Sequence, residues 1–298
     1  MVDRLVRAVT GQPDTAAAWR SLVTPADRVG IKISAAGGRY FASHHGIVNA
    51  IVDGLAQAGV PRTRIIVWDR DADDLRDAGY SSQRGGYAVA SIAPRTGYDR
   101  AAVFTAPVLG KLIWGDVLFE EKQSKFGKRM NEADQLSSNS YIASVLSRQI
   151  TKIINVHVLS DHPGCGVGGA IYNATIPNID NWRRFTQSEG EASTGIADLY
   201  ADEHIGPKVV LHIMDALLAQ FAGGPHFNPN YAFAYQTIFA SKDPVALDAN
   251  ALRLIEGWRK EAKLPPIGKR AEWLESAEQM GLGHYAESRI TLRPVGPE

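Results

Sequence analysis

The sequence has very little cysteine, with Cys165 as its one thiol in 298 residues. A single thiol cannot form a disulfide within the chain. It also cannot supply the four ligands of a cysteine-only zinc site or of an iron–sulfur cluster. We therefore expect neither disulfides nor an intrinsic iron–sulfur cluster.

The chain also lacks an excess of charge of either sign. Lys and Arg total 32, Asp and Glu total 32, and the pI is about 7.1. Proteins that hold nucleic acid by bulk electrostatics carry a basic surplus, so no nucleic-acid partner is expected. A small anionic ligand stays compatible with this balance because it needs only a few local cations.

Long apolar runs are absent as well. No run of about 18 apolar residues occurs, so we expect a soluble chain without a membrane span. The N-terminal residues are charged and lack the apolar core and cleavage site of a secretory signal. This predicts a cytoplasmic chain as numbered, or an exported one if a signal peptide has been removed, and the oligomeric state stays open.

What is present indicates an α/β fold. Residues 28–34 alternate like a strand, and a Gly-rich turn and a helix capped by Ser43 follow. Gly59 and Pro61 end that helix, and 65–68 is a second buried strand. Strand, helix and strand within about 40 residues are typical of a right-handed βαβ unit with parallel strands.

Three later apolar runs, at 152–158, 209–214 and 235–240, read as further buried strands. We predict one α/β domain over 1–298, a mostly parallel sheet with helices on both faces. Residues 105–140 are predicted as an insertion, a hairpin at 112–119 and then a charged run, solvated rather than a lid. Residues 174–206 are predicted as a polar covering loop with a helix near 192–201.

The predicted strands also predict a site, because ligands of open parallel sheets lie beyond the carboxyl ends of the strands. Polar residues follow the strand ends at Ser34, Asp69-Arg70, Asp161-His162, Asp215 and Ser241–Asp243. The rule localises a site at one edge of the sheet without naming its chemistry.

The turn at Gly37 and Gly38 has two interpretations. Its backbone N–H groups, near a helix N-terminus and with Arg39 beside them, would suit a phosphate or carboxylate. It is equally well explained as a tight turn that needs positive φ. The pattern is neither G-x-G-x-x-G nor a Walker A loop, and no G-x-S-x-G elbow occurs elsewhere.

Residues 157–169 collect two histidines, an aspartate and the cysteine. Asp161, His162 and Cys165 are residue types that ligate transition metals, but their spacing matches no standard zinc pattern. His157 lies inside a strand and reads as a core imidazole with a backbone partner. Cys165 reads equally as a small buried hydrophobe.

Two further pairs are ambiguous. Of His44 and His45, at the start of the first long helix, at most one is expected to face the predicted site, with the other solvated. Arg183, next to Arg184, is predicted either to hold an anion bidentately or to form ordinary salt bridges.

Several segments together resemble a known family. They are 27–38, 65–70, 154–162 (INVHVLSDH), 180–185 (DNWRRF), 212–225 and 240–249, in family order over roughly 1–292. This chain resembles the family catalogued as domain of unknown function 362, whose fold is α/β and whose activity is mostly unassigned. Many relatives are exported by the twin-arginine route and carry ferredoxin-like cysteine motifs, which this sequence lacks.

The resemblance also implies site residues. Many relatives have Lys-x-His after the third strand and Lys-Asn in the next helix. Here His162 and Asn173 are retained, whereas Ser160 and Tyr172 replace the lysines, which puts a mechanism with two cations there in doubt. Lys32 is present. A faint similarity to nickel-pincer lactate racemases is a fold-level analogy only.

Our first hypothesis is therefore an enzyme that performs proton transfer or redox chemistry on a small anionic substrate, with metal assistance left open. Its predicted catalytic residues are Lys32, Asp69, His162 and Asn173. Its predicted substrate-binding residues are Ser34, Gly37, Gly38, Arg39, Arg70, Arg183, Asp215 and Asp243. The alternatives are a non-catalytic metal or cofactor carrier through Asp161, His162 and Cys165, and a non-catalytic binder of an anionic ligand.

Overall fold

The computed structural model describes residues 1–81, 85–93, 96–126, 135–186 and 194–296. The strands are β1 (Val29–Lys32), β2 (Ile65–Asp71), β3 (Ala88–Ala93), β4 (Tyr98–Lys111), β5 (Leu136–Ala143), β6 (Lys152–His162), β7 (Gly166–Val167), β8 (Val209–Gln220) and β9 (Ala232–Ser241). The helices are α1 (Val2–Thr10), α2 (Thr15–Arg20), α3 (His45–Gln57), α4 (Ala72–Asp77), α5 (Val117–Phe126), α6 (Ala170–Thr175), α7 (Thr194–Tyr200), α8 (Pro244–Glu261) and α9 (Trp273–Gln279).

The central sheet confirms the predicted α/β class. Its strand order is β3-β2-β1-β6-β8-β9, with β7 paired to the end of β6. The pairs among β1, β2, β3, β6 and β8 are parallel, whereas β9 runs antiparallel to β8. One hydrophobic core with α1, α2 and α3 covers one face, and a second with α6, α7, α8 and α9 covers the other.

The direction of β9 corrects one prediction. Ser241 pairs with His212 near the start of β8, so Asp243 lies at the amino edge of the parallel strands. It therefore does not face the other candidates at the carboxyl edge. The sequence did not reveal this, because a buried apolar run looks the same in either strand direction.

The amino end of helix α3 faces the sheet at Asp215, and the position of the whole helix matters for the site. It is fixed by Trp19, which is fully buried against Gly54, where a Cβ would lie 2.0 Å from the indole nitrogen. Its end is as predicted: Gly59 has φ +97 and the Val60 N–H bonds the Leu55 carbonyl. The start of the helix differs from the prediction.

The predicted cap Ser43 does not cap α3, which begins one residue later behind His44. The Ser43 hydroxyl instead accepts the Ser34 N–H (3.0 Å) and donates to the Val156 carbonyl (2.9 Å). These bonds tie the loop after β1 to β6, so the capping position shifts to His44.

The predicted insertion also has a different internal structure. β4 pairs with β5 as a two-stranded antiparallel ribbon, and α5 lies between them in sequence. A hairpin over 112–119 is therefore wrong, because the strand partner of β4 comes more than twenty residues later. Residues 127–134 of the charged run lie outside the described residues. The predicted helix near 192–201 is confirmed as α7, and 187–193 are likewise not described.

The connections define where a ligand would lie. From β1 the chain proceeds to β2 on one side, whereas from β6 it proceeds to β8 on the other. The carboxyl ends of β1 and β6 are therefore the topological switch point of the sheet, where ligands of open α/β sheets bind. No helix among the described residues is long and apolar enough to cross a membrane.

Candidate active site at the carboxyl edge of the sheet

Lys32, the last residue of β1, is fully buried at the switch point. Its ammonium group donates to Asp69 Oδ1 (2.7 Å), the Ile33 carbonyl (2.7 Å) and Asn173 Oδ1 (3.0 Å). These three acceptors use all three protons of the group. Burial lowers the pKa of Lys32, and the charge of Asp69 opposes this shift.

Asp69, in β2, connects this cation to the backbone around the site. Its Oδ1 also accepts the Arg70 N–H (2.8 Å), and its Oδ2 accepts the Ala35 N–H (2.7 Å). The side chain is 8% exposed. The Lys32–Asp69 pair therefore holds the turn after β1 and the backbone of Arg70 in place.

A line of buried polar side chains extends from Lys32 across the sheet. Asn173 Nδ2 donates to Asn155 Oδ1 (2.7 Å), and Asn155 Nδ2 lies 3.0 Å from His212 Nδ1. His212 Nε2 lies 3.0 Å from the Tyr200 hydroxyl. Burial lowers the pKa of His212 to about 3, so the imidazole is neutral at pH 7. Since the Asn155 amide can only donate at Nδ2, the His212 proton lies on Nε2.

The short helix α6 that carries Asn173 is held at its amino end by a buried carboxylate. Asp248, in α8, accepts the N–H groups of Ala170 (2.5 Å) and Ile171 (2.9 Å). The residue before the helix must be small, because a Cβ on Gly169 would lie 2.1 Å from Asp248 Oδ1. Burial raises the pKa of Asp248 to about 7.

Arg70 follows Asp69 and is partly exposed. Its guanidinium lies over the Trp182 ring, 4.9 Å from the centroid, and that of Arg183 lies 4.7 Å from the same ring. Within the described residues Arg70 has no carboxylate at salt-bridge distance. Arg183 has a buried Nη1 without a hydrogen-bond partner there. Both guanidiniums keep donors that an anion would accept.

His162, the last residue of β6, is held in one tautomer. Its Nδ1 accepts the N–H groups of Gly164 and Cys165, each at 3.1 Å, so its proton lies on Nε2. Burial lowers the pKa of His162 to about 4, and the ring packs 4.5 Å from that of Tyr172. The side chain is therefore a neutral hydrogen-bond donor at pH 7.

His44, at the start of α3, forms the other polar group of this edge. Its backbone N–H and its ring Nδ1 both bond Asp215 Oδ2, each at 2.7 Å. The carboxylate is buried, whereas the imidazole is 41% exposed. The hydrogen bond to Asp215 raises the pKa of His44. The neutral ring thus carries its proton on Nδ1 and presents a basic Nε2 to solvent.

Comparison with known proteins defines the family. The family model "Domain of unknown function (DUF362)" matches residues 29–253. The chain belongs to this family. A crystal structure of a Thermotoga maritima protein matches at 13% identity and TM-score 0.41, covering 85% of this chain and 60% of that one. The chain thus spans about three fifths of that protein. No curated protein matches the sequence.

In this family member the predicted metal ligands do not converge. Asp161 Oδ1 accepts the Gly224 N–H (2.8 Å), and Cys165 Sγ is buried 3.9 Å from the Phe185 carbonyl. A metal on Nε2 of a neutral His162 would move the proton to Nδ1, against two N–H donors. The described residues contain no group of three or more His, Cys, Asp or Glu side chains able to hold a metal. The structure does not support this ligand set.

The glycine turn fits its structural interpretation. A Cβ on Gly37 would lie 2.1 Å from the Phe41 carbonyl oxygen, and Gly38 has φ +58. The adjacent amino end of α3 is occupied by the Asp215 carboxylate, which takes the His44 N–H. An internal carboxylate therefore already takes the backbone donor that precedes this helix.

The remaining predicted residues differ in their surroundings. Lys32 bonds Asp69 and Asn173, and the Arg70 backbone N–H bonds Asp69. Ser34 lies beside them through its bond to Ser43, and Arg39 is exposed, 5.9 Å from the Tyr40 ring centroid. His157 is a buried core residue as predicted, but neither ring nitrogen has the expected backbone partner among the described residues.

Arg184 has a structural role. It donates to the carbonyls of Ala106 (3.1 Å) and Val108 (2.8 Å), so it clamps β4 rather than an anion. His44 is the site residue that sequence reasoning left ambiguous. Its signal was a histidine between a glycine turn and a helix, but the carboxylate that makes it basic lies 171 residues away in sequence.

Proposed function

We propose that this protein is an enzyme that transfers a proton on a small anionic substrate at the carboxyl edge of its sheet. The observation that carries the proposal is the His44–Asp215 pair, a half-exposed imidazole oriented by a buried carboxylate. It lies at the same edge as Arg70, a cation whose carboxylate partner is absent from the described residues. A base and an anion-binding group together are what such a reaction requires.

His44 is assigned as the general base. Asp215 accepts its Nδ1–H, so Nε2 carries the lone pair that takes a proton from the substrate. The hydrogen bond to Asp215 raises the pKa of His44, which makes this nitrogen a stronger base. Asp215 is the positioning residue, because it fixes the tautomer and does not itself exchange the proton.

Arg70 is assigned as the anion-binding residue. Its guanidinium presents a planar fork that matches a carboxylate or phosphate group, and stacking on Trp182 restricts its orientation. Lys32 and Asp69 are positioning residues in this proposal, because every Lys32 proton is already used and Asp69 holds the Arg70 backbone.

His162 is assigned as a neutral donor to the developing charge. Its Nε2–H forms no hydrogen bond within the described residues, and its low pKa prevents it from carrying a proton to or from substrate at pH 7. A fixed neutral donor of this kind stabilises an oxyanion that forms as the base removes a proton.

The test is proton exchange on defined probes. A panel of 2-hydroxy and 2-oxo carboxylates and their phosphate esters is incubated with the protein in D₂O, and deuterium incorporation is followed by NMR. His44→Gln is expected to slow exchange on an active probe by roughly 10²-fold or more. Arg70→Lys is expected to raise KM more than it lowers kcat.

His284→Gln is the matched control. His284 bonds Asp243 through its backbone N–H and its Nδ1, as His44 bonds Asp215, but at the opposite edge of the sheet. Its exchange rate is expected to equal that of the wild type. If His44→Gln retained the wild-type rate, or if no probe of the panel exchanged or bound, the proposal would be wrong.

A further inference from the structure

A cavity lies away from the carboxyl ends of β1 and β6, along the outer edge of β9. Its volume is about 850 Å³, within the range of natural ligand sites. It is lined by one face of α1, by the seven consecutive residues 235–241, by the first turns of α8 and by the seven consecutive residues 289–295. Two extended stretches of chain thus face each other across a groove.

β9 is the last strand of the sheet, and no strand of the described chain pairs with its outer edge. Alternate residues of such a strand direct their backbone N–H and C=O groups outward. Gln236, with φ 57, interrupts the strand, so the regular edge runs over 237–241. The groove lies where the next strand of the sheet would be.

The walls of the groove are largely apolar. Helix α1 places Val2 and Val6 in the core, and its neighbouring stripe of Leu5 and Val9 lines the groove. The opposite wall contributes Leu292, which is 59% exposed. These walls suit the alternate side chains of an extended segment, which point to the two faces of a sheet.

Asn250 provides an independent observation of an unfilled site. Its side chain lines the groove, is only 8% exposed, and has an Nδ2 without a hydrogen-bond partner among the described residues. Leaving a buried amide donor unsatisfied is destabilising. Because this Nδ2 is itself buried, the side chain must rotate toward the groove before a carbonyl of an inserted segment can accept the donor.

The charged side chains that line the groove favour one type of bound segment. Arg4, Arg289 and Arg293 line it, against the single carboxylate of Asp243, which bonds His284. Arg289 pairs with Glu278 at 3.4 Å, so the surplus rests on the other two arginines. An acidic occupant is therefore favoured over a basic one.

From these observations we infer that an extended acidic segment of a partner protein binds in this groove by adding a strand to the edge of β9. Backbone hydrogen bonds to 237–241 supply affinity, the apolar walls take alternate side chains, and Arg4 and Arg293 face its carboxylates. This site is independent of the proposed reaction at the carboxyl edge.

The probe is a fluorescein-labelled heptapeptide of alternating Glu and Val, measured by fluorescence anisotropy and by hydrogen exchange of the intact protein. Saturable binding with a Kd below about 100 µM and slower exchange at 237–241 are expected. A probe N-methylated at alternate amides and a probe with Lys in place of Glu are expected to bind at least tenfold more weakly.

Two variants locate the contact. Asn250→Leu removes the unpartnered donor, so it is expected to weaken probe binding about fivefold while leaving Tm unchanged or higher. Arg293→Glu is expected to weaken binding similarly, whereas Arg20→Glu, the same charge change on α2 outside the groove, leaves it unchanged.

Each contrary outcome overturns the inference. Absence of protection at 237–241 with about 1 mM probe would exclude strand addition there. Equal binding of the N-methylated probe would show recognition without strand pairing. A concentration-dependent dimer that protects 237–241 without peptide would assign the groove to a second copy of the chain.

Discussion

Two His–Asp pairs in this protein have nearly the same local geometry and lie at opposite edges of the sheet. In each, one carboxylate oxygen takes both the backbone N–H and the ring Nδ1 of a histidine, and the ring bond is 2.7 Å. The imidazoles are similarly exposed, 41% for His44 and 43% for His284. The carboxylates differ, because Asp215 is 1% exposed and Asp243 is 24% exposed.

The two pairs differ in their structural surroundings. Asp243 also caps α8 through the Ala246 N–H, so its pair is explained by the end of a helix. The His44–Asp215 pair lies at the switch point, on the same sheet edge as Arg70 and the buried Lys32. In the proposed function, the same two side chains acquire different roles from the sheet edge that they occupy.

The largest expected effect comes from breaking the Lys32–Asp69 ion pair, which lies at the carboxyl edge and has no contact with the His284–Asp243 pair. Lys32→Met leaves Asp69 buried without its cation and leaves two further acceptors unpaired, so the free energy of unfolding is expected to fall by about 3–5 kcal/mol. Urea denaturation measures this. In NMR spectra the His44 ring signals are expected to shift and those of His284 to stay. A loss below about 1 kcal/mol would contradict the buried pair.

The next effect concerns His162, the second histidine of the carboxyl edge. The folded pKa of His162 is about 4, below the ordinary 6.5, so the unfolded chain binds the additional proton between these values. Stability therefore falls as the pH drops from 6.5 to 4, by about 3 kcal/mol from this group. His162→Asn keeps an acceptor for Gly164 and Cys165, and it is expected to flatten the pH dependence of unfolding there. An unchanged slope would contradict the assignment.

The two carboxylates are compared directly by truncation. Asp215→Ala leaves the His44 N–H and the Leu217 N–H without their acceptor in a buried position, so a loss of about 2–3 kcal/mol is expected. Asp243→Ala removes a helix cap and is expected to cost about 1 kcal/mol. Chemical denaturation of both variants measures the two losses in unfolding free energy. Equal losses would contradict the expectation that the more deeply buried Asp215 contributes more than Asp243.

The smallest effect is a titration. Because Asp215 raises the pKa of His44 above 6.5, the pair contributes its full stabilisation below pH 6.5 and loses it as the pH rises through the folded pKa. Solvent screening of the half-exposed ring keeps this contribution below about 1 kcal/mol. NMR of the His44 Cε1–H is expected to show the raised pKa, and Asp215→Asn is expected to lower it. An unchanged pKa of His44 in the Asp215→Asn variant would show that the two side chains do not interact in solution.

The elements that the sequence predicted well are those with strong local signals. The β1–α3–β2 unit follows from alternation at 28–34, helical spacing after it, and Gly59 at a positive φ. The misplaced features have weak or shared local signals. Ser43 and His44 are both acceptable at a helix start, and the bonds of Ser43 to Ser34 and Val156 decided between them.

The candidate site was predictable only where its residues lie next to a strongly predicted strand or match the family pattern. The strand-end rule supplied Asp69 and Arg70, and the family resemblance supplied Lys32 and Asn173. His162 was assigned as an acid, base or metal ligand, and only the amides that occupy its Nδ1 show it as a fixed neutral donor. The basicity of His44 depends on Asp215, which no local pattern links to it.

The sequence by itself determined the α/β class, the absence of disulfides and cysteine clusters, and the order of most strands and helices, because composition and periodicity are properties of short segments. The tertiary structure alone decided that β9 runs antiparallel, that Asp243 leaves the site, and that one of two similar His–Asp pairs lies toward the carboxyl edge of the sheet. Strand direction and side-chain pairing depend on contacts between distant segments, and a residue pattern of period two or 3.6 carries no record of them.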